Sequence, residues 1–355
     1  MIAARYRPGI GLEVTEAPVP AVSEDELLVR VEATSICGTD LKIISCGHRK
    51  LAQGQAIILG HEFAGVVEIV GRHVLGFRSG MRVGIAPNIG CGQCEMCAMG
   101  MMNMCPSYSA FGIDRDGSHA EFVKIPASAI AQGNVVRLPE CISMVEASLA
   151  EPLSCVVNAS RVTGVNIGDT VLVYGAGAMG LLNLMVMLIS GAAQVFVVDL
   201  NETRLEKALQ LGASAVLNPK DEPVSDWVLR NTSGRGVDVA IVAVPNPDLQ
   251  KQAVELLAPY GRLCLFAGVN ASHSKVHLDT NAIHYKSLVV TGMTGGAVRD
   301  YRTALKLIES RRIDVKKVVS HVFPLKQVER AYDIAKSGSG LKVVMVNSND
   351  LFESQ

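Results

Sequence analysis

Over residues 1–90 the apolar positions fall in short runs that suit strands and turns rather than amphipathic helices. Residues 27–33 (Leu-Leu-Val-Arg-Val-Glu-Ala) half alternate and read as a strand leading into the loop at Cys37. Residues 57–59 and 63–70 are rich in β-branched side chains, which favour extended backbone. No helix of length is expected in this stretch, so it should form a β-rich domain. Strand patterning returns over 118–138. A helix is then expected from Ser143, with Glu146 placed to complete a capping box. Glu151-Pro152 should interrupt it, because proline lacks the donor and clashes with the preceding turn.

From Asp169 the pattern changes to apolar strands alternating with helices. Strands are expected at 170–174, 195–198, 215–217, 237–244 and 261–267, with helices at 181–189, 203–211, 224–231 and 249–257 between them. Such alternation predicts a doubly wound parallel sheet, to whose edge a strand at 288–291 can add. Beyond the turn Thr294-Gly295-Gly296, a helix at 300–310, a strand near 321–323, a helix at 326–335 and a strand at 343–346 complete the chain. The sequence contains no internal repeat or low-complexity segment.

Length fits two domains: 355 residues exceed what one core usually serves. A formal net charge of −1 offers no footprint for nucleic acid or an anionic membrane. The first residues lack the apolar region of a signal peptide, and 181–189 is too short to span a bilayer. Nine cysteines without an export signal point to reduced thiols and metal ligands in a soluble, cytoplasmic protein.

Three stretches carry chemistry. Cys37, two dozen residues before the pair His61-Glu62, supplies with them a thiol, an imidazole and a carboxylate, all good zinc donors. Gly60 gives the bend that adjacent ligands need to converge on one ion. Cys91, Cys94 and Cys97 at CxxC spacing, with Cys105 eight residues on, can close a tetrahedral zinc site that leaves no position for substrate, so that metal would be structural. Gly175-Ala176-Gly177-Ala178-Met179-Gly180 sits between a strand and a helix, and Asp199 follows nineteen residues later. Gly175 permits the tight turn, Gly177 lets backbone approach a pyrophosphate and Gly180 allows helix and strand to pack closely. Asp199 would accept from the ribose 2′-hydroxyl and repel a 2′-phosphate, which favours NAD; Arg204, near the adenine edge, bears on the same choice.

In order along the chain, Cys37-Gly-Thr-Asp40, Gly60-His61-Glu62 with Gly65 and Gly71, the four-cysteine lobe and the glycine-rich turn resemble the zinc-containing medium-chain dehydrogenases/reductases. The resemblance covers essentially the whole chain and is nearest to the polyol (sorbitol-type) dehydrogenases and their threonine-dehydrogenase relatives. It implies a GroES-like catalytic domain (1–155, with the zinc lobe near 90–106), a Rossmann NAD-binding domain (156–292) and a C-terminal segment (293–355) that completes the first. It also implies two zinc ions per chain, NAD, and a homo-oligomer, dimer or tetramer. Cys37, His61 and Glu62 match the catalytic zinc positions; Cys91, Cys94, Cys97 and Cys105 match the structural ones. Glu151 would either ligate the catalytic zinc or hold its water, and charge counting leans towards the water because Cys37 and Glu62 already neutralise a dication. Thr39 would pass the alcohol proton outward while the carbinol hydride moves to nicotinamide.

The chain departs from the family pattern at Lys42, where many relatives have a histidine, at Met81 in place of an aspartate, and over 291–301, which lacks the Arg-Tyr pair of sorbitol dehydrogenases. His48-Arg49-Lys50 could meet a sugar phosphate or be a solvated basic turn. Cys46, Cys141, Cys155 and Cys264 are expected to be ordinary thiols. The leading expectation is oxidation of a secondary alcohol, a polyol or sugar alcohol, to its ketone. A phosphorylated polyol or a β-hydroxy amino acid such as threonine is the alternative. A non-catalytic nucleotide-binding protein or a zinc-free quinone reductase would not need the intact zinc ligands, and a nucleic-acid-binding cysteine lobe would need basic neighbours where Glu95 and methionines stand.

Overall fold

The computed structural model describes residues 1–48, 50–51, 54–270 and 274–347. Contacts divide the chain into one unit made of Met1–Ser154 with the segment from Gly295 onward, and a second of Cys155–Thr294.

The first unit is built on a seven-stranded sheet. Its order is Val135–Arg137, Arg82–Ile85, Glu62–Val70, Leu27–Ser35, Lys342–Val346 and Val319–Pro324, with Phe122–Ile125 also paired to Leu27–Ser35. All pairs are antiparallel except the last two strands in that order, which run parallel. Inward side chains such as Leu27, Val29, Phe63, Val67 and Val83 form one core, and Phe63 meets Phe111 edge to face with ring centroids 5.7 Å apart. At about 25 cal/mol per Å² of apolar surface removed from water, each such buried side chain is worth roughly 2 kcal/mol. The β-rich expectation holds, with one correction: Gly38–Cys46 is a nine-residue helix. Its apolar stripe is weak, so periodicity missed it. The helix is set instead by Cys37 as N-cap, with the Asp40 side chain accepting from the Cys37 N–H at 2.9 Å.

The expected capping box at Ser143 and Glu146 is present and opens the short helix Met144–Ser148. The interruption falls at Leu149, before Glu151. Ala150–Thr163 then runs on with Pro152 in its first turn, where no intrahelical donor is required.

The second unit has a six-stranded parallel sheet in the order Ala215–Leu217, Gln194–Val198, Thr170–Tyr174, Val237–Val242, Leu257–Leu265, Val289–Gly292. Numbered along the chain, that is the 3-2-1-4-5-6 order of the Rossmann fold. The strands read as continuous apolar runs because helices cover both faces: all of Thr170–Tyr174 is buried. Its core joins Tyr174, Phe196, Trp227 and Val254. Among the described residues no helix is long and apolar enough to cross a membrane.

Candidate active site

The first group of donors is assembled by the central strands of the first unit. Ser35 and Glu62 are direct partners across Leu27–Ser35 and Glu62–Val70. Cys37 therefore emerges just beyond one strand end while His61 and Glu62 open the other. Gly60 holds a φ of +94°, a left-handed conformation that side-chain-bearing residues avoid, and a Cβ there would lie 2.3 Å from the His119 ring. Gly117 presses on the same spot, because a Cβ on it would sit 2.0 Å from the Gly60 carbonyl oxygen. Ser118 N–H donates to Gly60 O at 3.0 Å and His119 N–H to Leu59 O at 2.8 Å. Held this way, the donor atoms of Cys37, His61 and Glu62 all lie within 4.8 Å of one another.

Around this cluster the polar groups are buried, and His61 Nδ1 has no hydrogen-bond partner among the described residues. Asp40 Oδ1 stands 3.5 Å from His61 Nδ1. His119 pairs through Nδ1 with the Tyr332 hydroxyl at 2.9 Å and through Nε2 with Ser35 O at 3.4 Å. The second contact requires Nε2–H, and in a neutral imidazole Nδ1 then accepts from the Tyr332 hydroxyl. Burial pulls the His119 pKa below its ordinary value. Burial pushes Asp40 up, but the His61 charge and hydrogen bonds outweigh it and bring its pKa to about 2. For His61 burial acts downward, yet the Cys37 thiolate and Asp40 raise its pKa well above the usual value. The cavity thus favours a cation. The donor set of thiolate, imidazole and carboxylate within 4.8 Å fits zinc.

Glu62 has partners that the sequence did not suggest. Lys342 Nζ lies 2.5 Å from both of its carboxylate oxygens, and Ser35 Oγ donates to Oε2. Burial disfavours the ammonium form of Lys342, but the charges of Glu62, Cys37 and Glu151 more than offset this and raise its pKa. Glu151 itself is buried in the first turn of Ala150–Thr163 and is not one of the three donors within 4.8 Å. Thr39, half-buried, donates its N–H to Cys37 Sγ at 3.5 Å. Lys42 is exposed on the same helix. Lys50 is already engaged: it bonds Tyr108 O, lies 3.3 Å from the Tyr108 ring centroid and 3.5 Å from Asp114 Oδ2. Arg49 lies outside the described residues.

The sulfur atoms of Cys91, Cys94, Cys97 and Cys105 also lie within 4.8 Å of one another, with Cys91–Cys97 at 4.0 Å and Cys94–Cys105 at 3.7 Å. Every cysteine of the chain is a free thiol. Cys91 N–H donates to Cys105 Sγ and Cys94 N–H to Cys91 Sγ, each at 3.3 Å. Backbone N–H groups of Gln93 and Cys94 bring the Cys91 thiol down to about 6, whereas desolvation pushes Cys97 up to about 11. Four sulfurs converging without a carboxylate or imidazole fit a closed zinc site.

In the second unit the glycine-rich turn shows three different steric needs. Gly175 has a φ of +100°, and a Cβ there would sit 2.6 Å from Val244. A Cβ on Gly180 would lie 1.8 Å from Gly175 O. Gly177 caps the helix Ala178–Ile189 and has no heavy atom within 4 Å of a built Cβ, so its space is free on the helix N-terminal side. Met179 stands half-buried in the first turn. Asp199 Oδ2 accepts from Ala176 N–H at 2.6 Å and its Oδ1 from Asn201 N–H at 2.9 Å. A cavity of about 680 Å³ opens beside them, lined by Tyr174, Gly175, Asp199, Arg204 and Val244. Open helix N-terminal amides beside an acidic strand end fit a dinucleotide.

Ser35, His119, Tyr332 and Lys342 were not singled out from the sequence, and Asp40 entered only as the end of the Cys37-Gly-Thr-Asp40 motif, with no role assigned. Only Asp40 left a local trace, three residues after Cys37 at capping-box spacing.

Residues 23–140 match the family described as alcohol dehydrogenase GroES-like domain, and 178–310 match that described as zinc-binding dehydrogenase. The L-threonine 3-dehydrogenase of Bacillus licheniformis is 34% identical over 342 residues, 96% of this chain and 96% of that one. An alcohol dehydrogenase of Escherichia coli CFT073, complexed with NADH, is 28% identical with a TM-score of 0.88, covering 98% of this chain and 99% of that one. Galactitol-1-phosphate dehydrogenase of Escherichia coli is 25% identical with a TM-score of 0.87, covering 98% of this chain and all (100%) of that one.

Proposed function

Because the chain belongs to the zinc-binding alcohol dehydrogenases of the medium-chain family, with zinc and a nicotinamide dinucleotide as cofactors, we propose that it oxidises the hydroxyl of a β-hydroxy amino acid of the threonine type. The observation that carries this reading is the 34% identity, along nearly the whole chain, to an enzyme named for L-threonine. It favours what was the alternative in the sequence over the polyol. The engagement of Lys50 by Asp114 and Tyr108 weighs against a phosphorylated polyol alone, since a cation already neutralised is a poor phosphate anchor. The likeness to galactitol-1-phosphate dehydrogenase favours a polyol as the second reading.

In this reading Cys37, His61 and Glu62 hold the catalytic zinc, and Asp40 fixes the His61 ring from behind. Zinc supplies the Lewis acidity that makes a substrate hydroxyl acidic at neutral pH, and the dinucleotide supplies the hydride acceptor. Thr39, two residues from Cys37, takes the hydroxyl proton towards solvent. Glu151 contributes a carboxylate whose charge is felt at Lys342. Cys91, Cys94, Cys97 and Cys105 hold the structural zinc. The Gly175–Gly180 turn receives the pyrophosphate, with Ala176 and Met179 beside it. Asp199 selects NAD over NADP by accepting from the ribose hydroxyls, with Arg204 at the adenine edge.

The test is reduced-cofactor formation by the purified protein with L-threonine, unphosphorylated polyols and phosphorylated polyols, with NAD and with NADP, before and after a strong chelator. Threonine with NAD should give the highest kcat/KM, at least about tenfold above any polyol, and chelation should abolish it. A polyol as best substrate would overturn the amino-acid reading. Turnover surviving loss of the Cys37–His61–Glu62 metal would overturn the catalytic assignment.

A further inference from the structure

Glu62 is described above as a metal ligand, yet its carboxylate is already shared with a buried cation. Lys342 opens the strand Lys342–Val346, which lies beside Leu27–Ser35, and its side chain is 5% exposed. Its three ammonium donors have three acceptors: Glu62 Oε1 and Oε2, each at 2.5 Å, and Ile36 O at 3.2 Å. On the carboxylate side the loads are unequal. Oε2 accepts from both Ser35 Oγ and Lys342, which fills its two lone pairs, whereas Oε1 accepts from Lys342 alone. Glu62 can therefore give a metal one oxygen, Oε1, and cannot chelate through both.

Charge counting changes as well. Cys37 and Glu62 alone would neutralise a dication. With Lys342 in contact with Glu62, the same centre keeps one net positive charge. A Lewis acid that retains charge polarises an oxygen more strongly, and it can also accept a third anion from nearby. Counting Lys342 thus removes the objection to Glu151 as a ligand that the sequence alone had raised.

We propose that Lys342 is a positioning residue of the catalytic zinc centre, restricting Glu62 to a single weakened oxygen and keeping the bound metal electropositive. This rests on zinc ligation by Cys37, His61 and Glu62 but not on the identity of the substrate. The competing explanation is an ion pair that only ties the last strand into the sheet.

Metal affinity separates the two. The cobalt-substituted full-length protein reports on the catalytic centre through its visible absorption, with Cys37→Ser as the blank for the cysteine lobe. Outer partners of metal ligands typically change affinity by about 10- to 100-fold. Glu62→Gln should weaken cobalt and zinc binding by about 100-fold, because it removes a ligand charge and leaves the Lys342 ammonium facing the metal. Lys342→Met should tighten binding by about tenfold and alter the cobalt spectrum, and Lys342→Arg should restore the wild-type spectrum. The double variant Lys342→Met/Glu62→Gln keeps the wild-type net charge and should bind within about threefold of wild type. If Lys342→Met fails to fold, the double variant against Glu62→Gln still decides. A double variant as weak as Glu62→Gln would overturn the role of Lys342, as would a Lys342→Met protein with wild-type affinity and spectrum. Wild-type metal binding by Glu62→Gln would instead overturn Glu62 as a ligand.

Discussion

Gly177 and Gly180, three residues apart in the same turn, should fail in opposite ways when replaced by alanine. At Gly180 an added methyl would start 1.8 Å from Gly175 O, so the helix and the preceding turn must separate by more than about 1 Å. Overpacking of this kind costs about 3 kcal/mol. For a unit of about 140 residues, unfolding entropy near 2.1 cal/mol/K per residue converts that to a fall in Tm of about 10 °C. At Gly177 the methyl meets no heavy atom within 4 Å, and the backbone φ of −67° suits alanine. A weaker N-cap and a less flexible unfolded chain nearly cancel there, so Tm should move by less than about 3 °C. The methyl would nevertheless project into the space where a pyrophosphate approaches the helix amides, and NADH affinity should fall at least about tenfold, which is 1.4 kcal/mol. Calorimetry and NADH fluorescence titration on both variants make the comparison. Gly177→Ala binding NADH like wild type would refute the close-approach argument, and Gly180→Ala melting like wild type would refute the steric one.

Two other outcomes follow from particular contacts. Cys94→Ser should cost the chain one zinc ion and more than about 3 kcal/mol of stability while NADH binding persists, as read by metal analysis, calorimetry and titration. Retention of both zinc ions would show that Cys94 is not a ligand. Burial pushes Asp238 up, but the Arg235 guanidinium and the Thr170 N–H outweigh it and hold its pKa below the usual carboxylate value. A depressed folded pKa gives stability that is complete above the unfolded value near 3.8 and is lost as pH falls below it. Between pH 5 and 3 the Tm of wild type should therefore fall more steeply than that of Asp238→Asn, and equal slopes would remove the assignment.

The features legible in the sequence were those whose physics is local. Cysteines at CxxC spacing can meet on one ion whatever the rest of the chain does, and the Gly175–Gly180 turn is defined by the strand before it and the helix after it. Periodicity likewise placed the alternating elements of the second unit to within a few residues. It failed at Gly38–Cys46, where a cap and not an apolar stripe makes the helix. Pairings across the sheet were out of reach. Lys342 precedes the apolar run Val343–Val346 and reads as an ordinary strand-end lysine; only the register of three strands brings it to Glu62, 280 residues away. His119 and Tyr332, separated by 213 residues, are a similar case. Residues that hold the ligands from behind leave little local signature, because their partners are chosen by topology.

The arrangement of the first sheet also has a consequence for how the protein is made. Ala33, Thr34 and Ser35 pair with Val346, Met345 and Val344, residues that leave the ribosome only after the whole dinucleotide unit. At roughly 5–20 residues per second, synthesis of that intervening stretch occupies on the order of ten seconds. During that interval the strand leading to Cys37 carries an open edge, a template for wrong pairing. A nascent or truncated chain already contains Cys37, His61 and Glu62 but lacks the ammonium that balances Glu62. Its cluster of donors is therefore more anionic than the finished one. The Glu62–Lys342 pair can form only once the last strand has been made, so a chain stalled within Cys155–Thr294 would carry an unbalanced Glu62 beside an open strand edge.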